Sequence, residues 1–214
     1  MAAPAIDVFL LFGPGDRNTV DNKVQPGPNW KTLTGDAKKG GYTLAVAGPA
    51  FQLSVKVISD SLTNSEATIL VGHGAGTFQG KRFVSSQIKL TDGLMLSPDG
   101  LYEVSWNGNV FTPIKKPNSK IKTNRVTGLF TCNSHETLPQ AFEVPAGDSL
   151  ITNDGGSDGE TRLGTLENCA FAFVKEYVRS KGDVAKSLTQ AQAVMKVAGK
   201  GFAGDKGDTL MVDK

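Results

Sequence analysis

The chain is short of the residues that small folds use as staples. Of its 214 residues only two are cysteine, Cys132 and Cys169, and only two are histidine, His73 and His135. Two cysteines make no disulfide framework, and a chain this long needs none, so a reducing, cytoplasmic compartment is expected, whether of its own cell or of a target cell into which it is delivered. The same four residues, without paired spacing, make no tetrahedral zinc site, and no metal or other cofactor is expected. Neither sign of charge dominates: 23 Lys and Arg oppose 21 Asp and Glu, for a net +2. A balance so scattered gives no basic field to hold a nucleic-acid backbone by counterion release, which argues against a nucleic-acid partner. Long apolar runs are missing too. The one near residues 8–12 falls far short of the roughly 20 residues of a membrane helix, so no membrane association is expected. The N-terminus has no basic stretch, and its apolar run ends in Gly13-Pro14-Gly15 instead of a small-residue cleavage site, so a signal peptide is not expected. Internal repeats are absent from the sequence.

The apolar fraction, 39%, is too high for a disordered chain, and the length suits one domain over residues 1–214, with a core at about 5–181 and a closing helix and tail over 182–214. Ala5-Ile-Asp-Val-Phe-Leu-Leu-Phe12 reads as a strand buried on both faces. Residues 16–41, rich in Gly, Pro, Asn and Lys, read as a surface loop with at most a turn of helix. Residues 42–46 predict a second strand, and the segment with Phe51, Leu53, Val55, Val57 and Ile58 fits strand or helix. Ala67-Thr-Ile-Leu-Val71 is a buried strand running into Gly72-His73-Gly74-Ala75-Gly76. Residues 79–98 read as a long loop. Residues 101–104 and 109–114 form a hairpin, because Asn107-Gly108 favours the primed turns that match strand twist. Thr127-Gly-Leu-Phe-Thr131 is a strand running into Cys132-Asn-Ser-His135, and Ser149-Leu-Ile-Thr152 reads as the last strand. Helices are predicted over residues 163–179 and 184–197. Strands alternating with helical or loop segments make an α/β fold with a mainly parallel sheet, in which sites form at the carboxyl ends of the strands.

His73 and Cys132 both take such a position. A thiol becomes a useful nucleophile when exposed and partly ionised, and a nearby imidazole commonly supplies that. Gly72 and Gly74 would leave the imidazole uncrowded, and the Gly74 and Cys132 amides are candidate oxyanion donors. Set against this, a lone cysteine is more often a small buried hydrophobe and a lone histidine a turn residue.

The order of motifs resembles the caspase-like (clan CD) cysteine peptidases, the group of caspases, metacaspases, separases, gingipains, clostripain and the bacterial CHAT-type proteases. An apolar strand ends in Gly-His-Gly, a hairpin-containing insertion follows, a second apolar strand ends in Cys132-Asn133-Ser134, and a strand with an acidic glycine-rich loop precedes a helix. The likeness covers about residues 5–179. It implies a caspase-like sandwich with a mainly parallel sheet, a Cys132 nucleophile after the fourth core strand, and a His73 partner after the third. It also implies an endopeptidase acting on protein or peptide substrates, latent until self-cleavage or an activating partner orders the pocket loops. Residues 16–41 and 79–98 are where such a switch is expected. Regulated defence, programmed cell death and a delivered toxin are the roles it leaves open, in a bacterial setting.

In that family the side chain before the scissile bond is held by loops after the first and last strands, which here carry Asp16 and Arg17, then Asp154, Asp158 and Arg162. Asp16 with Asp154 or Asp158 would select a basic side chain, Arg17 with Arg162 an acidic one, and Phe130 at the pocket floor an apolar one. Phe130 stands where members that cut after Arg or Lys commonly carry an acidic residue. His135 is the rival base, unless a helix beginning near Ser134 points it away. Calcium stays open at the oxygen-rich run Asn153-Asp-Gly-Gly-Ser-Asp-Gly159, which lacks the twelve-residue loop with its closing Glu. Two other readings fail on chemistry. In Gly72-His-Gly-Ala-Gly76 the serine of a nucleophile elbow is replaced by Gly74, and Phe12-Gly-Pro-Gly-Asp16 lacks the Lys-Ser/Thr of a phosphate loop. The non-enzymatic alternative is a catalytically silent caspase-like interaction module.

Overall fold

A computed structural model of the chain describes residues 2–12, 19–20, 23–24, 26–48, 54–79, 82–91, 94–106, 111–115, 120–155, 161–201 and 209–213. Ala5–Leu10 (β1) is followed by the short pair Thr19–Val20 (β2) and Lys23–Val24 (β3), helix Trp30–Lys39 (α1), Thr43–Ala47 (β4), helix Val55–Asn64 (α2) and Ala67–Val71 (β5). Gly74–Gln79 (β6), Arg82–Thr91 (β7), Leu94–Ser97 (β8), Gly100–Trp106 (β9) and Phe111–Lys115 (β10) then form an antiparallel five-stranded sheet. The chain returns through Ile121–Lys122 (β11) and Val126–Phe130 (β12) to the short helix Ser134–Thr137 (α3), a 3-10 turn at Leu138–Ala141, Phe142–Glu143 (β13) and Ser149–Asp154 (β14). It closes with helices Leu163–Arg179 (α4) and Val184–Gly201 (α5) and strand Thr209–Asp213 (β15).

The central sheet runs β15-β14-β12-β5-β1-β4, with every neighbouring pair parallel except β14 with β15. Its two innermost strands are buried throughout: every residue of β5 and of β12 is buried, Thr68 and Thr127 included. Alternation along them feeds two separate cores. Ile69, Val71, Phe130 and Ile151 join Trp30, Leu166, Phe173 and Met195 on the face covered by α1, α4 and α5. Leu70, Leu129 and Leu150 join Ile58, Leu62 and Leu138 on the face covered by α2 and the 3-10 turn. Helices on both faces of a mainly parallel sheet make the α/β sandwich predicted from the sequence, consistent with the caspase-like arrangement. Leu96 and Leu101 carry the five-stranded sheet onto the α2-side core. Among the described residues no helix is long and apolar enough to cross a membrane.

Three expectations need correction. Residues 16–41 are not all loop: α1 buries Trp30, Leu33 and Ala37 along one face, and the Asn29 side chain accepts from the Thr32 amide at its start. Three apolar positions in ten, diluted by lysine and threonine, gave too weak a period to read. Residues 79–98 carry β7 and β8, long antiparallel strands in place of a loop. Ser149–Asp154 is not the last strand, because β15 pairs with it from the far end of the chain. The ambiguous segment is helical from Val55, with the Ser54 hydroxyl capping the Val57 amide, while Phe51 and Leu53 lie outside the described residues. The hairpin is present, Phe111 opposite Trp106, with Asn107 and Gly108 outside the described residues.

Candidate active site

The register of β5 and β12 builds the site. Val71 pairs with Phe130 at the carboxyl ends of the two strands, and the Gly72 amide donates to the Phe130 carbonyl at 3.3 Å. His73 and Cys132 each lie two residues past that pair, on adjacent parallel strands. The backbones stay in contact beyond it. A Cβ on Gly74 would stand 2.3 Å from the Cys132 carbonyl oxygen, so only glycine fits. A Cβ on Gly72 would stand 3.0 Å from Leu11 Cβ, a tight approach to which the Leu11 side chain would have to yield by a few tenths of an ångström. Both glycines therefore have a steric reason, beyond leaving the imidazole uncrowded. His73 is exposed, and Cys132 is partly buried.

Cys132 sits on a tight turn held from three sides. Asn133 takes the left-handed conformation, φ 50°, which asparagine tolerates better than most residues, and its Oδ1 accepts from the Gly155 amide at 3.1 Å. Ser134 is fully buried; its hydroxyl donates to the Leu129 carbonyl at 2.9 Å and accepts from the Asn153 amide at 2.8 Å. The Cys132 thiol donates to the Thr161 carbonyl at 3.0 Å, and Thr161 is in turn held by Asn153, whose Nδ2 donates to the Thr161 hydroxyl at 2.8 Å. The turn after β12 is thus locked to the end of β14 and to the entry of α4. Thr131 Oγ1 and Asn153 Oδ1, both beside this turn, are buried with no hydrogen-bonding partner among the described residues. Buried polar atoms without partners are rare in folded proteins.

His135 belongs to the other face. Its Nδ1 lies 3.0 Å from Thr152 Oγ1 and 4.0 Å from Asp213 Oδ2 on β15. Thr152 shares the face of Leu150, in the α2-side core, whereas Cys132 packs against the α4-side core. The short helix begun at Ser134 carries His135 away from the thiol, as the alternative in the sequence reading held.

The other sequence candidates scatter. Phe130 is fully buried, its ring 6.2 Å from Phe173 in the α4-side core, so it offers no surface to a ligand and is corrected from pocket floor to core residue. Asp154 ends β14 and Arg162 opens α4, both partly buried and both close in sequence to groups that hold the Cys132 turn. Asp16, Arg17 and Asp158 lie outside the described residues, as does most of the proposed calcium loop. Cys169 is fully buried inside α4, as read from the sequence. No group of three or more His, Cys, Asp or Glu side chains gathers as a metal site among the described residues. Glu136, which the sequence reading passed over, stands on α3 beyond the Cys132 turn; partial burial and the Asp154 carboxylate push its own carboxyl up from the usual range. Thr161 was also missed, as were the turn-locking roles of Ser134 and Asn153, because a backbone acceptor and such hydrogen bonds leave no spacing signal.

No protein-family model matches the chain, and no curated protein matches it either.

Proposed function

We propose that the protein is a caspase-like cysteine endopeptidase in which Cys132 attacks the scissile carbonyl and His73 is its proton-transfer partner. The observation that carries the reading is the β5–β12 register, which puts the two residues at equivalent positions on adjacent strand ends with the Gly74 and Cys132 backbones in contact. The order within the central sheet agrees with it: in chain order β5 is its third strand and β12 its fourth. In the proposed reaction the Cys132 sulfur adds to the carbonyl carbon, and the Gly74 and Cys132 amides receive the developing oxyanion. His73 takes up the thiol proton as sulfur adds and gives it to the leaving amine as the C–N bond breaks, and water then hydrolyses the resulting thioester to release the acid and restore the thiol. A protein or peptide is the substrate, and no cofactor enters this chemistry.

The resting thiol needs one rearrangement. A carbonyl oxygen accepts from S–H and has no donor for a thiolate, so the Cys132 side chain must leave Thr161 before it attacks. This contact supports a latent resting form, relieved by self-cleavage or by a partner. The same contact favours the second reading, a catalytically silent interaction module.

A library of peptides randomised at the position before the scissile bond decides between them, assayed with the wild type, Cys132→Ala and His73→Ala. Cleavage lost in both variants is the expected result. No cleavage by any form, with Cys132 inert to iodoacetamide in the folded protein, overturns the peptidase and leaves the module.

A further inference from the structure

The proposed chemistry gives no part to Asn153, a fully buried carboxamide near the end of β14 that reaches both halves of the Cys132 contact. On the thiol's side, its backbone amide donates at 2.8 Å to the hydroxyl of Ser134, in the turn that carries Cys132. On the acceptor's side, its Nδ2 donates to the Thr161 hydroxyl at 2.8 Å, and the Thr161 carbonyl accepts from the Cys132 thiol at 3.0 Å. Its Oδ1 is buried and has no hydrogen-bonding partner among the described residues. The carboxamide is thus used at one end only, and the used end holds the residue that holds the nucleophile.

We infer that Asn153 is the brace of an autoinhibitory latch: its bond to the Thr161 hydroxyl keeps the Thr161 carbonyl on the Cys132 thiol, and breaking that bond frees the thiol. The inference rests on the reading of Cys132 as the nucleophile and adds what restrains it. A main-chain acceptor has no rotamer of its own, so its place is set by whatever fixes its residue. Thr161 is buried, and its side chain is fixed by Asn153. Asn153 is a firm anchor in turn, because β14 is buried from Ser149 to Asn153 and Ser134 holds the Asn153 backbone. The orphaned Oδ1 separates a latch from a plain lock. A fully satisfied buried network resists opening, whereas a carboxamide oxygen left dry costs the closed form stability that is recovered when the junction opens and water reaches the atom. Asn153 is therefore a positioning residue, acting on the sulfur through Thr161.

The test times alkylation by iodoacetamide in the folded full chain, read at Cys132 by peptide mass spectrometry, with melting temperatures to verify folding. In the wild type the rate should be lower than in the urea-unfolded chain at the same pH by about tenfold or more. Thr161→Val keeps the shape of the side chain and removes the hydroxyl, and Asn153→Ala removes the brace; each should raise the rate by about threefold or more. The two together should be no faster than the faster single variant, because both cut the same bond. Thr161→Ser restores the hydroxyl and loses a methyl, so it should return to within about twofold of the wild type, a rescue opposite to what lost packing gives. Tyr177→Phe breaks a buried hydrogen bond to Glu66, beside the amino end of β5, and should leave the rate unchanged. A wild-type thiol as fast as the unfolded one overturns the latch, and that comparison needs no variant to fold. So do a Thr161→Val or Asn153→Ala protein with the wild-type rate, a Thr161→Ser protein as fast as Thr161→Val, and a Tyr177→Phe protein that gains as much as either. Failure of the peptidase reading is a separate result: peptides stay uncleaved by every form while the differences in alkylation persist.

Discussion

Gly74→Ala tests the contact on which the site is built. The added Cβ would stand 2.3 Å from the Cys132 carbonyl oxygen and 3.1 Å from its carbonyl carbon and Cβ, where ordinary contact begins at 3.4 Å. The first obstacle is backbone, which cannot swing aside as a side-chain tip does, so the ends of β5 and β12 must part by about 1 Å. Forcing a methyl into a packed position costs about 1–3 kcal/mol. For a chain of this size that is a fall in Tm of about 2–4 °C for each kcal/mol. A displacement of about 1 Å between reacting groups costs about 100-fold in kcat/KM. Scanning calorimetry measures the first effect and peptide cleavage the second. The native alkylation rate of Cys132, followed by mass spectrometry, reads the thiol even in a protein that cleaves nothing, since Cys169 is fully buried. Gly35→Ala is the control. Gly35 lies in α1 with nothing within 4 Å of an added Cβ, and alanine there should raise stability by about 1 kcal/mol and leave the thiol alone. A Gly74→Ala protein with wild-type Tm and wild-type Cys132 alkylation would refute the geometry. A lowered Tm with unchanged alkylation would refute its link to the nucleophile.

Ser134→Ala leaves the buried Asn153 amide without its acceptor, so a loss of about 1–3 kcal/mol is expected, seen as a lower urea midpoint at unchanged slope. Tyr177 is buried with its hydroxyl donating to Glu66 Oε1 at 2.8 Å; burial first and this bond second raise the phenol above the ordinary tyrosine value of 10.0. Tyr177→Phe should therefore cost about 1.5–3 kcal/mol at pH 8. Because the folded phenol holds its proton after the unfolded one has lost it, the gap between wild type and variant should shrink above pH 10 in urea titrations. Glu136 behaves in the opposite sense for stability at neutral pH. Its carboxyl is raised by burial and by Asp154, so its ionised form is disfavoured in the fold and stability is lost as pH rises above 4.5. Glu136→Gln should melt slightly higher than the wild type at pH 7, by a few tenths of a kcal/mol for so exposed a group, and no higher at pH 3.5.

The parallel sheet was legible because its inner strands must be apolar on both faces, and Ala67-Thr-Ile-Leu-Val71 and the run ending at Phe130 say so without help from their surroundings. The positions of His73 and Cys132 followed, since a residue just past a buried parallel strand lies at the carboxyl edge of the sheet. Two kinds of element were not legible, a helix that depends on a partner distant in sequence and strands whose own pattern is polar. The apolar period of α1 makes sense only against α4, where Trp30 Nε1 donates to Glu167 Oε1 at 3.1 Å across 137 residues. The insertion's strands β6 and β7 pair only with their antiparallel neighbours, and glycine-rich, polar strands of that kind look like loop in a sequence. Phe130 was misplaced for a subtler reason. Its position two residues before the thiol suggested the pocket, but alternation along β12 turns it beneath the sheet toward Phe173, and the pleat decides which face a side chain serves.

That same alternation separates the two histidines more clearly than distance along the chain does. His135 is three residues from Cys132 and His73 is far away, yet the short helix after Asn133 carries His135 to Thr152 on the α2 face while the thiol turns to Thr161 on the α4 face. His73 precedes Gly74, whose backbone contact with Cys132 joins the two strand ends. The price of that arrangement is a thiol whose proton already has an acceptor. A thiol held by a main-chain carbonyl leaves it when its own side chain turns or when the segment bearing the carbonyl moves. Thr161 leads directly into α4 and is tied through Asn153 to β14, so a movement at the junction of β14 with α4 would carry the acceptor away from the Cys132 thiol.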